Sequence, residues 1–170
     1  MDNPPFLIRR TRESDWREVR DLRLEMLRDT PLAFSKTYET ALEVTEGDWR
    51  LRAARGTAQQ GTAVAAITGA GTWVGTMAGT LEPGVGPLLI SVYVSPAWRG
   101  YQIGLTTALL TEIEDWARSE GGQLTLHVHQ DNGRAIAFYE RQGFKPTGRK
   151  FPNDLYPGTH ELEMVKSLTP

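Results

Sequence analysis

The chain predicts an α/β domain built on one mixed sheet, and three observations carry that prediction. Short β-branched or apolar runs separated by tight turns fill residues 62–94, the pattern of an antiparallel meander. From residue 88 onward, strand patterns alternate with segments of helical periodicity, which implies parallel pairing there. The chain has 170 residues, enough for one domain spanning 1–170. A domain of that size buries about 70% of its unfolded surface.

Residues 6–10 read as a first strand. Ser14 is placed to cap a helix whose inner face holds Trp16, Val19, Leu22, Arg23, Met26 and Leu27. Asp29-Thr30-Pro31 ends it, since the residue before proline avoids helical geometry. Residues 32–35 with Thr37 and Tyr38 look like a short second helical piece. Thr45-x-x-Asp48 resembles a capping box for a helix running to about Arg55, and residues 56–61 are a small-residue loop. Strands follow at 62–67 and 72–81 around the hairpin turn Gly69-Ala70-Gly71. After the turn 82–87 comes the run Leu88 to Val94, stopped by Ser95-Pro96 because proline gives no N–H to a ladder.

Beyond that stop, Leu105, Ala108, Leu109, Ile113, Trp116 and Ala117 recur at helical spacing, so an amphipathic helix opens near Gly104. Gly121-Gly122 closes it. Leu124, Leu126 and Val128 then alternate with Thr125, His127 and His129, a strand with two unlike faces. Asn132 caps a helix carrying Ala135, Ile136, Phe138 and Tyr139, and Gly143 ends it. Residues 151–158 form a loop with two prolines and a glycine, and 161–165 a final strand.

Composition excludes several classes. A net charge of −2 exerts no global pull toward nucleic acid or an anionic membrane surface. No apolar run approaches the ~20 residues that span a bilayer, and Met1-Asp2-Asn3-Pro4-Pro5 lacks the pattern of a signal peptide. Without cysteine there is no disulfide, thiolate nucleophile or cysteine-based metal site. The expectation is a cytoplasmic protein with no metal, no nucleic acid partner and no membrane; a homodimer stays open.

The turn Arg99-Gly100-Tyr101-Gln102-Ile103-Gly104 lies between a strand and a helix. Unpaired N–H groups and the positive pole of the dipole at such a helix start attract phosphate, and Arg99 adds a charge. The turn is neither a nucleoside-triphosphate loop, lacking Gly-Lys-Ser/Thr, nor a G-x-G-x-x-G dinucleotide fingerprint. Val94-x-Pro96-x-x-Arg99-Gly100-x-x-Ile103-Gly104 resembles the acetyl-coenzyme A signature of the GCN5-related N-acetyltransferases, Arg/Gln-x-x-Gly-x-Gly/Ala. Arg99 and Gly104 match the outer positions; Gln102 stands where the middle glycine is usual. Asn132-x-x-Ala135-x-x-x-Tyr139-Glu140-x-x-Gly143-Phe144 resembles the same family's second motif.

The resemblance implies a central twisted sheet of about seven strands, antiparallel in its N-terminal half, with about four flanking helices. Strands four and five would run parallel and splay apart around acetyl-CoA. It implies that the main chain at Val92 and Val94 pairs with the pantetheine amides. Backbone amides of Arg99, Gly100, Tyr101, Gln102, Ile103 and Gly104 would hold the pyrophosphate, and Asn132 and Ala135 would line the arm. Tyr139 would be general acid as well as cofactor contact, since a phenol of intrinsic pKa ~10 stays protonated at neutral pH and can donate to a leaving thiolate.

The general base is open. Relatives carry a glutamate on strand four, where this chain reads Ile90-Ser91-Val92. Glu82, a water held by Ser91, His127 and His129 are the alternatives. On the acceptor side the resemblance places Phe34, Ser35, Tyr38 and Glu39 near Asp154 and Tyr156, and the two carboxylates, Glu39 and Asp154, suit a cationic amine. The implied reaction is acetyl transfer to a primary amine of a small molecule, peptide or protein, by direct attack. The alternative is an acetyl-CoA-binding sensor with little transferase activity, favoured by Gln102 and the missing carboxylate.

Overall fold

The computed structural model describes residues 4–169. In chain order the elements are β1 (Phe6–Arg10), α1 (Trp16–Asp29), α2 (Tyr38–Leu42), α3 (Glu46–Ala53), β2 (Gly61–Thr68), β3 (Trp73–Glu82), β4 (Gly86–Val94), α4 (Leu105–Glu120), β5 (Gln123–His129), α5 (Gly133–Arg141), β6 (Lys145–Pro152) and β7 (His160–Ser167). One seven-stranded sheet runs in the order β1-β2-β3-β4-β5-β7-β6. Only β4 and β5 pair parallel; every other neighbour is antiparallel.

The mixed sheet and the parallel pair agree with the sequence. The described residues form five α-helices beside the sheet, in line with about four expected. Three local features differ. The second helical piece is a 3-10 turn at Pro31–Ala33 followed by α2, which Thr37 caps by accepting from the Thr40 N–H at 3.2 Å. Ser14 lies inside a 3-10 turn ahead of α1, and it is the Asp15 carboxylate that accepts the Arg12 N–H at 2.8 Å. β6, with the sequence KPTGRKFP, was not expected as a strand. It has a proline near each end, a glycine at φ 87°, and exposed side chains along nearly its whole length. Such a strand shows no alternation and survives only at an edge, where β6 lies.

The sheet divides the core in two. On one face α4 and α5 bury Leu105, Leu109, Ile113, Trp116 and Tyr139 against Val64, Met77, Leu89 and Leu126. Close approach of α4 depends on Gly79, where a Cβ would come within 2.3 Å of the Trp116 ring. On the other face α1, α2 and α3 bury Trp16, Leu22, Met26, Ala41 and Trp49 against Tyr93 and Trp73.

The sheet opens at its centre. β4 and β5 are in register only at Leu88↔Thr125 and Leu89↔Leu126, and from Ile90 onward that edge of β4 has no strand partner. A bulge explains the divergence. Across β3 the register passes from Ala78↔Ile90 to Thr76↔Tyr93, so one β3 residue faces two on β4. Within it Ser91 takes φ 55°, the one positive value at a non-glycine residue among those described. The extra residue bends β4 away from β5.

Candidate active site

The gap between β4 and β5 is a cleft of about 340 Å³ that passes through the sheet. Its walls are the open edge of β4, the facing stretch Leu126–His129 of β5, the turn at Arg99 to Gly104, one side of α5, and Phe34 from the α1–α2 connection. The Ser95 N–H donates to the Val74 carbonyl at 2.8 Å, toward β3. Alternation along a strand therefore turns the main-chain groups of Val94 and Val92 the other way, into the cleft. The Val94 carbonyl already accepts from Arg99 Nε at 2.8 Å; its N–H is left for a ligand.

At the far end of β4 the chain makes the turn that starts α4. Gly100 and Gly104 take φ 111° and 73°, left-handed values that favour glycine. Gln102 does not: its φ is not positive, its side chain is exposed, and the glycine usual there is not required by the backbone. The Arg99 amide bonds the Pro96 carbonyl and the Ile103 amide the Gly100 carbonyl, each at 3.3 Å. The amides of Gly100, Tyr101, Gln102 and Gly104, with those of the first turn of α4, have no partner among the hydrogen bonds of the described residues. They form a run of free donors at the positive end of a helix dipole, the chemistry that holds a phosphate. Arg99 itself is paired with Asp29 and lies 5.6 Å from the Tyr93 ring centre. Its charge is met within the protein, where the sequence suggested a free one.

α5 supplies the other wall. Asn132 Oδ1 accepts from the Ala135 N–H at 3.2 Å, so the side chain caps the helix while its amide nitrogen remains free beside the cleft. Tyr139 is 7% exposed, packed edge-on against Phe144 and Phe138. Every sealed side-chain nitrogen or oxygen among the described residues has a partner, and the Tyr139 hydroxyl has no protein partner. The hydroxyl thus opens into the cleft that the ring lines. Burial pushes its pKa above the ordinary phenol value, so it is protonated at neutral pH. Arg134 and Arg141 also line the cleft. They stand seven residues apart, two turns on one helix face, a spacing that could have marked them in the sequence.

The other sequence candidates separate clearly. His129 is 2% exposed; its Nδ1 accepts from the Asp131 N–H at 3.1 Å and its Nε2 lies 2.9 Å from Thr159 Oγ1, so both nitrogens are engaged. His127 lines the cleft with Nε2 3.4 Å from Glu163 and its ring 4.8 Å from Phe151. Glu82 is exposed at the β3–β4 hairpin and lines no part of the cleft. Of the acceptor-side group, Phe34 lines the cleft, Tyr156 packs on His129 at 5.9 Å, and Tyr38 bonds Arg28. Ser35, Glu39 and Asp154 are exposed and outside the cleft wall. Among the described residues no cluster of His, Asp or Glu is arranged to hold a metal, and no helix is long and apolar enough to cross a membrane.

No curated protein matches the chain. Solved structures match its fold. An acetyltransferase of the GNAT family from Streptococcus pneumoniae is 19% identical with a TM-score of 0.78, covering 96% of this chain and 99% of that one. A GNAT superfamily phosphinothricin acetyltransferase from Sinorhizobium meliloti, solved with acetyl-CoA, is 20% identical at 0.75, covering 96% and 88%. The PaiA N-acetyltransferase from Thermoplasma acidophilum, solved with coenzyme A, is 18% identical at 0.74, covering 95% and 98%. At these identities the likeness is one of fold. The family model described as "Acetyltransferase (GNAT) family" matches residues 16–144, both motifs included, and the chain belongs to that family.

Proposed function

We propose that this protein transfers the acetyl group of acetyl-coenzyme A to a primary amine by direct attack in a ternary complex, with Tyr139 as general acid. The observation that carries the reading is the open edge of β4 running onto the free amides at the start of α4. That edge suits the amide-bearing pantetheine arm, and the helix start suits a pyrophosphate. The solved neighbours bound to acetyl-CoA or coenzyme A share the fold that splays these strands.

On this reading the main chain of Val92 and the Val94 N–H hold the arm against Ala135 and Asn132. The amides of Gly100, Tyr101, Gln102 and Gly104 take the pyrophosphate, with Ile103 completing the turn. Arg134 and Arg141 offer charge to the remaining phosphate. Arg99 positions the turn through Val94 and Asp29. Acetyl-coenzyme A supplies a thioester carbon: the amine nitrogen bonds to it, the carbon–sulfur bond breaks, the sulfur gains a proton and the nitrogen loses one. Tyr139 delivers the proton to sulfur from a hydroxyl whose raised pKa keeps it loaded. Ser91, His127 and His129 all line the cleft; with both His129 nitrogens engaged, the amine's proton leaves by way of His127 or a water held at Ser91.

Release of free thiol from acetyl-coenzyme A across amino acids, polyamines, aminoglycosides and peptides tests the reading, alongside calorimetric binding. The expected result is micromolar-range binding with acceptor-dependent thiol release, and no acetyl group left on the protein by intact mass when acceptor is omitted. Binding without thiol release from any amine would support the sensor instead.

A further inference from the structure

We infer that the acceptor amine carries an oxyanion group, a carboxylate or a phosphoryl head, bound between Arg23 of α1 and Arg52 and Arg55 at the end of α3. The inference rests on the transferase reading above and names the substrate class of that site.

On the α1–α3 face of the sheet a second cavity, of about 40 Å³, is lined by these three guanidinium groups together with Thr11, Thr76 and Ser91. No acidic side chain lines it. Among the described residues, none of the ion pairs involves Arg23, Arg52 or Arg55. The one hydrogen bond that any of the three side chains makes is a weak one, from Arg23 Nη1 to the Met26 sulfur at 3.8 Å. Arg23 Cζ lies 4.9 Å from the Phe34 ring centre and Arg52 Cζ 5.8 Å from that of Trp49, and both residues line the cavity.

Three carboxylates of α1 and the turn before it are committed elsewhere. Asp15 holds Arg9, Glu25 accepts from Tyr93 and Ser95, and Asp29 takes Arg99 and Tyr93. Burial lowers the pKa of all three cavity arginines, and the charges of Arg52 and Arg55 help bring Arg23 down to about 9. Three half-buried like charges without a partner oppose folding, and an anion from outside reverses that sign. Guanidinium forks bind carboxylate and phosphoryl oxygens two at a time.

The site is held rigidly. Thr11 Oγ1 donates to the Ala53 carbonyl at 2.7 Å, and a Cβ at Gly56 would meet the Thr11 carbonyl at 2.2 Å. The segment bearing Arg52 and Arg55 is thereby fixed against β1. The cavity exceeds the volume of a single water and fits a small charged head. Ser91 lines both this cavity and the cleft. On this inference an acceptor anchored at the arginines would reach the cleft by way of Ser91, the residue the two cavities share. A basic anchor replaces the acidic one expected from Glu39 and Asp154.

Two measurements test the inference. With the protein saturated in coenzyme A, so that its phosphate-binding amides are filled, inorganic phosphate and acetate are titrated at constant ionic strength. Saturable binding is expected, weakened at least tenfold in Arg23→Gln and in Arg52→Gln, with coenzyme A affinity unchanged and melting curves confirming folded variants. Thiol release is then compared for β-alanine and 2-aminoethylphosphonate against propylamine and spermidine. One anionic acceptor is expected to exceed both others at least tenfold in kcat/KM, and the pair distinguishes carboxylate from phosphoryl. Equal anion binding by parent and variants, absent anion binding, or preference for propylamine or spermidine would overturn the site. Arginine-dependent anion binding without thiol release would leave the anion site standing and remove the transferase reading alone.

Discussion

The cavities on the two sides of the sheet share Ser91, and on the readings proposed above both receive negative charge, by opposite means. On the α4 side the donors are backbone amides at a helix start. Such a site is neutral when empty and adds no buried charge to the fold. On the α1–α3 side three arginines line one cavity, with no ion-pair partner among the described residues. That site is strained electrostatically until something fills it. Strength of interaction and cost to the empty fold thus rise together from the one site to the other. On the proposed readings, backbone dipoles would hold the cosubstrate and side-chain charge the acceptor.

The largest expected effect breaks the cleft side at its chemistry. Tyr139→Phe keeps the ring that packs on Phe138 and Phe144 and removes only the hydroxyl facing the cleft. We expect kcat to fall about 10- to 1000-fold, the range of general acid catalysis, with KM for acetyl-coenzyme A little changed. A single-turnover rate equal to the parent's would reduce Tyr139 to a packing residue.

A second experiment sharpens the contrast between met and unmet charge by melting two arginine variants without ligand. Arg99→Ala removes the partner of Asp29 and the donor to the Val94 carbonyl. It should lower stability by roughly 1–3 kcal/mol, the range for hydrogen bonds to charged groups. Arg23→Met keeps the stem that packs beside Met26 and deletes a charge facing Arg52 and Arg55, so stability should hold or rise. The sign follows from linkage. Folded Arg23 holds its proton less firmly than the unfolded chain does, so its cost is present in full below about pH 9 and fades as pH climbs from there toward the ordinary arginine value. Equal destabilisation by both variants would make the three arginines a structural cluster.

The same contrast governs what could be read from the sequence. The cleft was legible because backbone sites are written locally: Gly100 and Gly104 mark left-handed turns, Pro96 ends a strand, Asn132 caps a helix. The arginine site draws on residues 23, 52 and 55 from two segments brought together only by packing. Its one local trace is Arg23 lying within the apolar stripe of α1, beside Leu22 and Met26. The Ser91 bulge was illegible because nothing in Ile90-Ser91-Val92 departs from a plain strand; the irregularity comes from pairing with β3. β6 is illegible for the converse reason, since an exposed edge strand buries nothing that would impose alternation. Arg99 is legible as a charge beside the turn, whereas its ion pair with Asp29, seventy positions away in the chain, lies beyond any local pattern.

The smallest expected effect concerns Gln102, and it tests whether a backbone site tolerates side-chain change as the comparison implies. The site depends on where amides point, so a residue with ordinary φ and an outward side chain should serve as well as glycine. Gln102 meets both conditions: its φ is not positive and its side chain is exposed. The left-handed positions on either side, Gly100 and Gly104, are the ones that keep glycine. Gln102→Gly should therefore leave acetyl-coenzyme A affinity within about twofold. It should reduce stability by up to ~1 kcal/mol, because the unfolded chain gains freedom that folding must remove. Calorimetry and thermal melts measure the two quantities on the same samples. A tenfold gain in affinity would mean that the glutamine side chain obstructs the pyrophosphate, and that the turn is a partly closed site of the kind a retired enzyme would keep.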